Sequence, residues 1–237
     1  AAESSTTGTR LDLTNFAFQA NEFLLESSTM IEEIEVIKIL GIDIFRTQNL
    51  QFSDLSIAAN KLNLLYLSSS EIEVDISDIG ILNSSLTTRV PLLTFNSAYL
   101  SYNLHGLSVI SSSVQGDLVL LQDAQANFEK INISNSRLDS TLFRTTGKNV
   151  LSLIEFNITD CTISKAFLLS SYEKQEIAME NLVLKHNTFD GSGFLTFGSL
   201  TNVEIHNISV LNSSFSGGSK MFDVVQGSLK VINFTRS

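Results

Sequence analysis

The hydrophobic residues of this chain recur with one internal spacing along most of its length. From Phe128, apolar residues follow at offsets of three, five and ten residues, and Leu153 and Met179 begin the same series. From Phe52 onward, the first residues of these units are 24, 28, 24, 25, 26, 26 and 26 residues apart. A period of this length is typical of a solenoid, in which each repeat stacks on its neighbours. The first residues are Leu13, Phe52, Ile76, Leu104, Phe128, Leu153, Met179, Ile205 and Val231.

Each unit carries a small or amide residue eight positions after its first residue. A small polar side chain at an inward-facing corner can hydrogen-bond the backbone of the corner, so we expect this column to be buried. Cys161 belongs to the column and is the only cysteine, so we interpret it as a buried small side chain without an internal disulfide. The members are Asn21, Asn60, Ser84, Ser112, Ser136, Cys161, Asn187 and Ser213.

Two solenoid folds share this spacing. Leucine-rich repeats have an overlapping period of roughly 20–29 residues. The parallel β-helix is favoured because a further alternating, strand-like segment follows each corner, as in residues 92–95. The core positions are also mixed, and Pro91 is the only proline. We therefore predict an all-β fold, a single-stranded right-handed parallel β-helix of about 8–9 rungs, with a leucine-rich-repeat solenoid as the alternative.

The repeat defines the domain organisation. Residues 1–10 are polar and are predicted to be a mobile lead-in, and residues 11–237 are predicted to form one β-solenoid domain. Residues 26–50 are predicted to form irregular rungs, because segments beginning at Ile31 and at Ile39 both match the template and cannot both begin full rungs. The last unit begins at Val231, so we expect the solenoid to continue or to be capped beyond residue 237.

Two segments resemble a known superfamily. Residues 157–163 (NITDCTI) and 185–189 (KHNTF) resemble the Asn-rich rungs of pectin-lyase-like parallel β-helices, and the Ile-, Asn-, Ser- and Phe-rich, Pro-poor style is similar to that of large surface β-helix proteins of protists. The resemblance covers roughly residues 50–237. It implies a fold rather than a function, and it raises the possibility of an enzyme acting on acidic polysaccharides.

The chemistry of such enzymes is not matched here. Their sites use clustered aspartates on exposed strands, often with a basic residue or a histidine. Paired aspartate motifs are absent, and the segment around His105 has only a faint likeness to their histidine element. His105 and His206 share a column but lie four rungs apart, roughly 19 Å at strand spacing. We therefore predict no catalytic residue, no metal ligand set and no cofactor.

The most concentrated charge is an acidic segment with carboxylates at alternating positions. Glu71, Glu73 and Asp75 alternate with apolar residues, so the three carboxylates are expected on one outward face, with no basic residue beside them. Residues 99–103 are expected on one side and residues 47–51 on the other. Hard oxygen ligands suit Ca²⁺, so this face is a candidate cation or glycan site, although a solvated acidic face is the simpler interpretation. Glu32, Glu33 and Glu35 are interpreted in the same way.

The overall charge narrows the range of partners. A formal net charge of −10 opposes binding to nucleic acid and to anionic membranes. No run of 18 apolar residues is present, so no membrane span is expected in this segment.

Six Asn-x-Ser/Thr sequons occur, and several of them share columns of the repeat. Asn132 aligns with Asn157, Asn83 with Asn212, and Asn207 with Asn233. These are candidate N-glycosylation sites, although repeat copying would align sequons without any glycan. We therefore expect a secreted or cell-surface glycoprotein, a structural or interaction rod whose partners are N-glycans and other protein chains, including copies of itself joined end to end. The alternatives are a polysaccharide lyase or hydrolase and a glycan- or protein-binding module.

Overall fold

The structure is a computed structural model that describes residues 10–19, 31–40, 44–68, 73–139, 141–164, 168–170, 175–190, 195–197, 201–224 and 227–237. Strands and short connections make up these residues, and no helix occurs among them. Apart from Arg10, which begins the first strand, the predicted lead-in lies outside this part of the chain, as does Asn21.

The strands pair in parallel and coil into a β-solenoid with three faces, so the predicted fold class is confirmed. Strands on all three faces exclude the leucine-rich-repeat alternative, which has strands along one side only. Twenty-one strands are described, numbered in chain order: β1 Arg10–Gln19, β2 Ile31–Leu40, β3 Ile44–Ser53, β4 Ser56–Ser68, β5 Glu73–Leu82, β6 Ser85–Thr87, β7 Leu93–Ile110, β8 Ser113–Gln115, β9 Val119–Ser134, β10 Arg137–Asp139, β11 Phe143–Thr146, β12 Asn149–Thr159, β13 Thr162–Ile163, β14 Leu168–Ser170, β15 Gln175–Lys185, β16 Thr188–Asp190, β17 Leu195–Phe197, β18 Thr201–Leu211, β19 Ser214–Ser216, β20 Phe222–Val224 and β21 Gly227–Arg236.

The first face, here called the long face, stacks nine described strands. These are β1, β3, β5, the second part of β7, the second part of β9, β12, β15, β18 and β21. The short face stacks the start of β4 with β6, β8, β10, β13, β16 and β19. The third face stacks β2, the end of β4, the first parts of β7 and β9, and then β11, β14, β17 and β20. Seven rungs, from β3 to β20, have one stretch of strand on each face, and β1 and β21 are the other two of the nine strands of the long face.

The core lies inside the coil and is formed by the residues that the periodicity identified. Phe128, Ile131 and Ile133 are 0–1% exposed, as are their counterparts in the following rung. Phe128, Phe143 and Phe156 pack edge to face, with ring centroids 5.1 and 5.7 Å apart. Fully burying one such side chain stabilises the fold by about 1.5–3 kcal/mol, so the stacked apolar columns hold the rungs together.

The predicted register is wrong in one rung. Ile76 pairs with Thr47, not with Phe52, and Phe52 pairs with Ile81. The second rung therefore begins at Thr47 and spans 29 residues. Its small-residue position is occupied by Leu55, not by Asn60. The backbone N–H of Leu55 donates to Ser84 Oγ, the side chain at the same position of the next rung. The ambiguous rungs predicted for residues 26–50 have one assignment in the structure. Strand β2 lies on the third face of the first rung, and β3 begins the second rung, so neither Ile31 nor Ile39 begins a rung.

The small-residue column is buried and hydrogen-bonded from rung to rung, as predicted. The backbone N–H of Ser84 donates to Ser112 Oγ at 3.1 Å, and that of Ser112 donates to Ser136 Oγ at 3.1 Å. The N–H of Cys161 donates to Asn187 Oδ1 at 2.9 Å. Buried polar groups are costly unless paired, so this continuous series, here called the buried ladder, stabilises one corner of the solenoid.

Candidate functional site: the long face

Two columns of positive φ shape the long face. The first, here called the bend column, lies two residues after the first residue of each rung, and the second, the corner column, lies five residues later. Left-handed backbone is tolerated best by Gly, Asn and Asp, which dominate both columns. The bend column is Asn15, Asn49, Asp78, Gly106, Lys130, Glu155, Asn181, Asn207 and Asn233; the corner column is Asp54, Asn83, Ser111, Asn135, Asp160, His186 and Asn212.

These columns explain the spacing of the core residues. Side chains alternate across a strand, so two inward residues should be an even number of positions apart. A left-handed residue between them resets the alternation and allows a step of three. The sequence pattern alone did not identify these residues, although each three-residue step between apolar positions marks where one lies.

Asparagines of the bend column bond to one another at both ends of the solenoid. Asn49 Nδ2 donates to Asn15 Oδ1 at 3.2 Å. Asn207 Nδ2 donates to Asn181 Oδ1 at 3.0 Å, and Asn233 Nδ2 donates to Asn207 Oδ1 at 2.9 Å. The amides are exposed, so each bond contributes modestly, and the main role of the residues is to hold the bend.

All six sequons lie on the long face or at its corner. The predicted alignment of Asn132 with Asn157 is confirmed by the register of β9 and β12. Asn207 and Asn233 are bend-column neighbours, and Asn83 and Asn212 both belong to the corner column. Asn132 is half-buried and the other five side chains are exposed.

A shallow groove follows the Asn132 and Asn157 pair along the solenoid axis. Its volume is about 470 Å³. Lys130 and Glu155 line one side, and Val183 continues the column beyond Asn157. Thr159 Oγ1 donates to Asn157 Oδ1 at 3.0 Å within the same sequon. The groove leaves free space beside both asparagines.

A second groove, of about 550 Å³, follows the corner column and the first residues of the short face. Ser56, Ser85 and Ser113 line it with hydroxyl groups, and Arg137 lies at one end and Asp54 at the other. The lining is polar and presents several hydrogen-bond donors and acceptors on a fixed backbone.

The acidic face differs from the prediction. Glu71 lies outside the described residues. Asp75 aligns with Asn103 on one side, as expected, but with Arg46 on the other, and Arg46 Nη2 lies 3.1 Å from Glu73 Oε1. The expectation that no basic residue lies beside this face is wrong, because the register of the second rung is shifted by five residues. The ion pair reduces the negative charge that a cation would need.

The second acidic segment is also paired with lysines. Lys38 Nζ lies 2.9 Å from Glu35, and Lys61 Nζ lies 3.8 Å from Glu33. The hydrogen bond to Glu35 raises the pKa of Lys38. Among the described residues, no group of three or more His, Cys, Asp or Glu side chains is placed to hold a metal ion.

The three histidines each lie beside a carboxylate. His105 Nδ1 lies 3.0 Å from Glu129, and His206 Nε2 lies 2.9 Å from Glu204. A hydrogen bond from Asn127 and another from His105 lower the pKa of Glu129. Bonds from Lys230 and His206 lower the pKa of Glu204. His105 and His206 share one column four rungs apart, as predicted, so they do not form one site.

Cys161 and Tyr102 have side chains that are buried in the core. Cys161 is 3% exposed, and burial raises the pKa of its thiol. Tyr102 is 2% exposed and packs edge to face on Phe95 at 4.9 Å, so it cannot serve as an exposed platform for a sugar.

Comparisons with protein-family models, with curated proteins and with solved structures find no match to this chain. Within the described part of the chain, no helix is long and apolar enough to cross a membrane.

Proposed function

We propose that this protein is an extracellular structural or interaction protein, a rod-shaped β-solenoid that carries N-glycans at a cell surface or in an extracellular filament. The observation that carries the proposal is the distribution of the sequons. All six lie on one face or at its corner, five of the six asparagines are exposed, and Asn132 and Asn157 share one outward position in consecutive rungs. A rod with a glycan-bearing face and two glycan-free faces suits assembly beside other chains.

The proposed partners are other protein chains, including further copies of this one. Among the described strands, β1 pairs only with β3 and β21 only with β18, so each has one edge without a described partner strand. Such edges are templates for another strand, which would come from further residues of the same polypeptide or from a second chain.

The proposal is tested by locating the protein on intact cells. A membrane-impermeant amine reagent should label the exposed lysines, such as Lys61, Lys220 and Lys230, before the cells are opened. A cytosolic marker protein in the same cells serves as the control. Labelling that appears only after lysis, together with the marker, would contradict an extracellular location.

A glycan-binding module is the second candidate, and the hydroxyl-lined corner groove is the observation that favours it. Binding of neutral and acidic oligosaccharides, measured by calorimetry with Ser85→Val and Ser113→Val as variants, tests it. The third hypothesis is a polysaccharide lyase or hydrolase acting at Glu71, Glu73 and Asp75. The Arg46–Glu73 ion pair weakens that hypothesis, and a screen of acidic polysaccharides with and without Ca²⁺ would detect such cleavage.

A further inference from the structure

At four of the six sequons, the backbone conformation by itself favours asparagine. Asn207 and Asn233 have φ values of 59° and 60° in the bend column, and Asn83 and Asn212 have φ values of 48° and 46° in the corner column. Left-handed backbone favours asparagine over nearly every residue except glycine. These four asparagines would be expected even if no glycan were ever attached.

The hydroxyl residues of the corner sequons also follow from the fold. Ser85 and Ser214 each begin a short-face strand, two positions after the corner. Ser or Thr fills this position in six of the seven described rungs, with Arg137 as the exception. An asparagine at the corner, with Ser or Thr two positions later at the start of the short-face strand, forms a sequon without any selection for a glycan.

The bend asparagines are also engaged with their neighbours. Asn207 Nδ2 donates to Asn181, and Asn207 Oδ1 accepts from Asn233. N-glycosylation modifies the side-chain nitrogen that makes these bonds. A glycan on Asn207 or Asn233 would therefore compete with the contacts between rungs.

At Asn132 and Asn157 the backbone conformation does not favour asparagine. Both lie in extended strands, where asparagine is disfavoured, and neither has positive φ. They nevertheless occupy the same outward position in two consecutive rungs, each followed by a hydroxyl residue, Ser134 or Thr159. This placement is unfavourable for the strand and suits a modification site.

The surface beside this pair has room for sugars. The groove of about 470 Å³ follows both side chains. Ser108 precedes Asn132 in the column and Val183 follows Asn157, so glycans on the two residues can diverge over small side chains. Val183 also offers the apolar face of a sugar ring a surface on which to pack.

We propose that Asn132 and Asn157 are the glycan-bearing residues, whereas Asn83, Asn207, Asn212 and Asn233 are structural asparagines that hold the left-handed positions. This division rests on the proposed function, because N-glycans are added in the secretory pathway. It makes one stretch of the long face, centred on β9 and β12, the glycan-bearing segment.

Site occupancy is measured on the full chain secreted from a eukaryotic host. Enzymatic glycan removal in ¹⁸O-labelled water marks each occupied asparagine, and peptide mass spectrometry maps the label. We expect label at Asn132 and Asn157 and none at the other four. Thr159→Ala with Ser134→Ala should abolish the label, while Ser209→Ala, which destroys the Asn207 sequon, should leave the protein mass unchanged apart from the substitution. Label at Asn207 or Asn233, or none at Asn132 and Asn157, would overturn the division.

The structural role is measured on unglycosylated protein from a bacterial host. Asn207→Gln should lower the Tm by several degrees, and Asn207→Gly should keep the Tm near that of the unaltered chain, because glycine also adopts positive φ. Asn157→Gln should leave the Tm unchanged. Equal effects of Asn207→Gln and Asn157→Gln would contradict the division. Its failure is distinguishable from failure of the proposed function: surface labelling of the protein only in opened cells would contradict the function, whereas label at Asn207 or Asn233 of the secreted chain would contradict the division.

Discussion

Two polar columns run along this solenoid, and they are polar for different reasons. In the buried ladder, each side chain accepts a hydrogen bond from the neighbouring rung and donates one to a backbone carbonyl, as Ser112 does. In the bend column, the side chains are mostly exposed and the shared property is positive φ. The buried ladder is defined by hydrogen bonding, whereas the bend column is defined by the backbone.

The difference decides which substitutions each column tolerates. The buried ladder accepts Ser, Cys or Asn, all of which can both donate and accept. The bend column accepts residues as unlike as Lys130, Glu155 and Asn207, because these side chains are exposed and the shared constraint is on the backbone. Asparagine occurs in both columns, so residue identity alone does not reveal its role.

The largest effect is expected from breaking the buried ladder. Asn187→Leu removes the acceptor of the Cys161 N–H, which is left unpaired inside the core, and also removes a donor to the Ile158 carbonyl. The free energy of unfolding should fall by about 3 kcal/mol in urea denaturation. Asn187→Ser is the matched control, and it should lose less because serine fills the same position in other rungs. A leucine variant as stable as the unaltered protein would show that the ladder does not stabilise the corner.

The next largest effect tests the backbone constraint. Gly106 has φ of +95°, and a Cβ atom there would collide with the carboxylate of Asp78. Gly106→Ala should lower the free energy of unfolding by about 2 kcal/mol, measured by urea denaturation. Gly80 is the control, since it lacks positive φ and its Cβ would meet Gln51 Cγ at an ordinary 3.7 Å. Gly80→Ala should cause no loss, and similar losses in both variants would contradict the role of φ.

A smaller effect of opposite sign is expected where the bend column lacks a favourable residue. Glu155 has φ of 58° and lies next to Asn181 in the column. Glu155→Asn should raise the free energy of unfolding by about 1 kcal/mol, because asparagine tolerates the left-handed region better. Val150→Asn, at an exposed extended position of the same strand, should instead be neutral or destabilising. Calorimetry of both variants and of the unaltered protein measures the change in Tm. A Tm that rises equally in both variants, or in neither, would contradict the preference for asparagine at positive φ.

The smallest effect concerns Cys161 and depends on pH. Burial raises the pKa of the thiol above its ordinary value of 9.0, so the unfolded chain releases the proton first as the pH rises. The stability contributed by the neutral thiol is therefore present below about pH 9 and is lost above it. Cys161→Ser should change the stability by less than about 1 kcal/mol at pH 7. Between pH 7 and pH 10 the variant should lose less stability than the unaltered protein, as measured by thermal unfolding.

The sequence predicted most of the fold because the core is repetitive. Offsets of three, five, eight and ten residues identified the buried positions from Ile76 to Val210, and the structure confirms them. The register failed only at Phe52. In that rung Leu55 occupies the position that is small elsewhere, and Thr47 occupies the position that is apolar elsewhere. The apolar pattern from Phe52 matches the template instead, which places the predicted start five residues too late.

The long face was predicted only in part. The alignment of Asn132 with Asn157 followed from the period. The division between asparagines with positive φ and asparagines in extended strands did not, because asparagine adopts both conformations and the sequence does not distinguish them. The pairing of Arg46 with Glu73 was also missed, since it depends on the register of the one rung whose pattern is ambiguous. Contacts between rungs become predictable only after the register is correct.

The most direct test of the account is the intact mass of the protein from its natural source, before and after enzymatic removal of N-glycans. We expect a mass loss that peptide analysis assigns to the residues around Asn132 and Asn157. An unmodified mass would contradict the glycosylated extracellular rod and would leave the aligned sequons as consequences of the solenoid geometry alone.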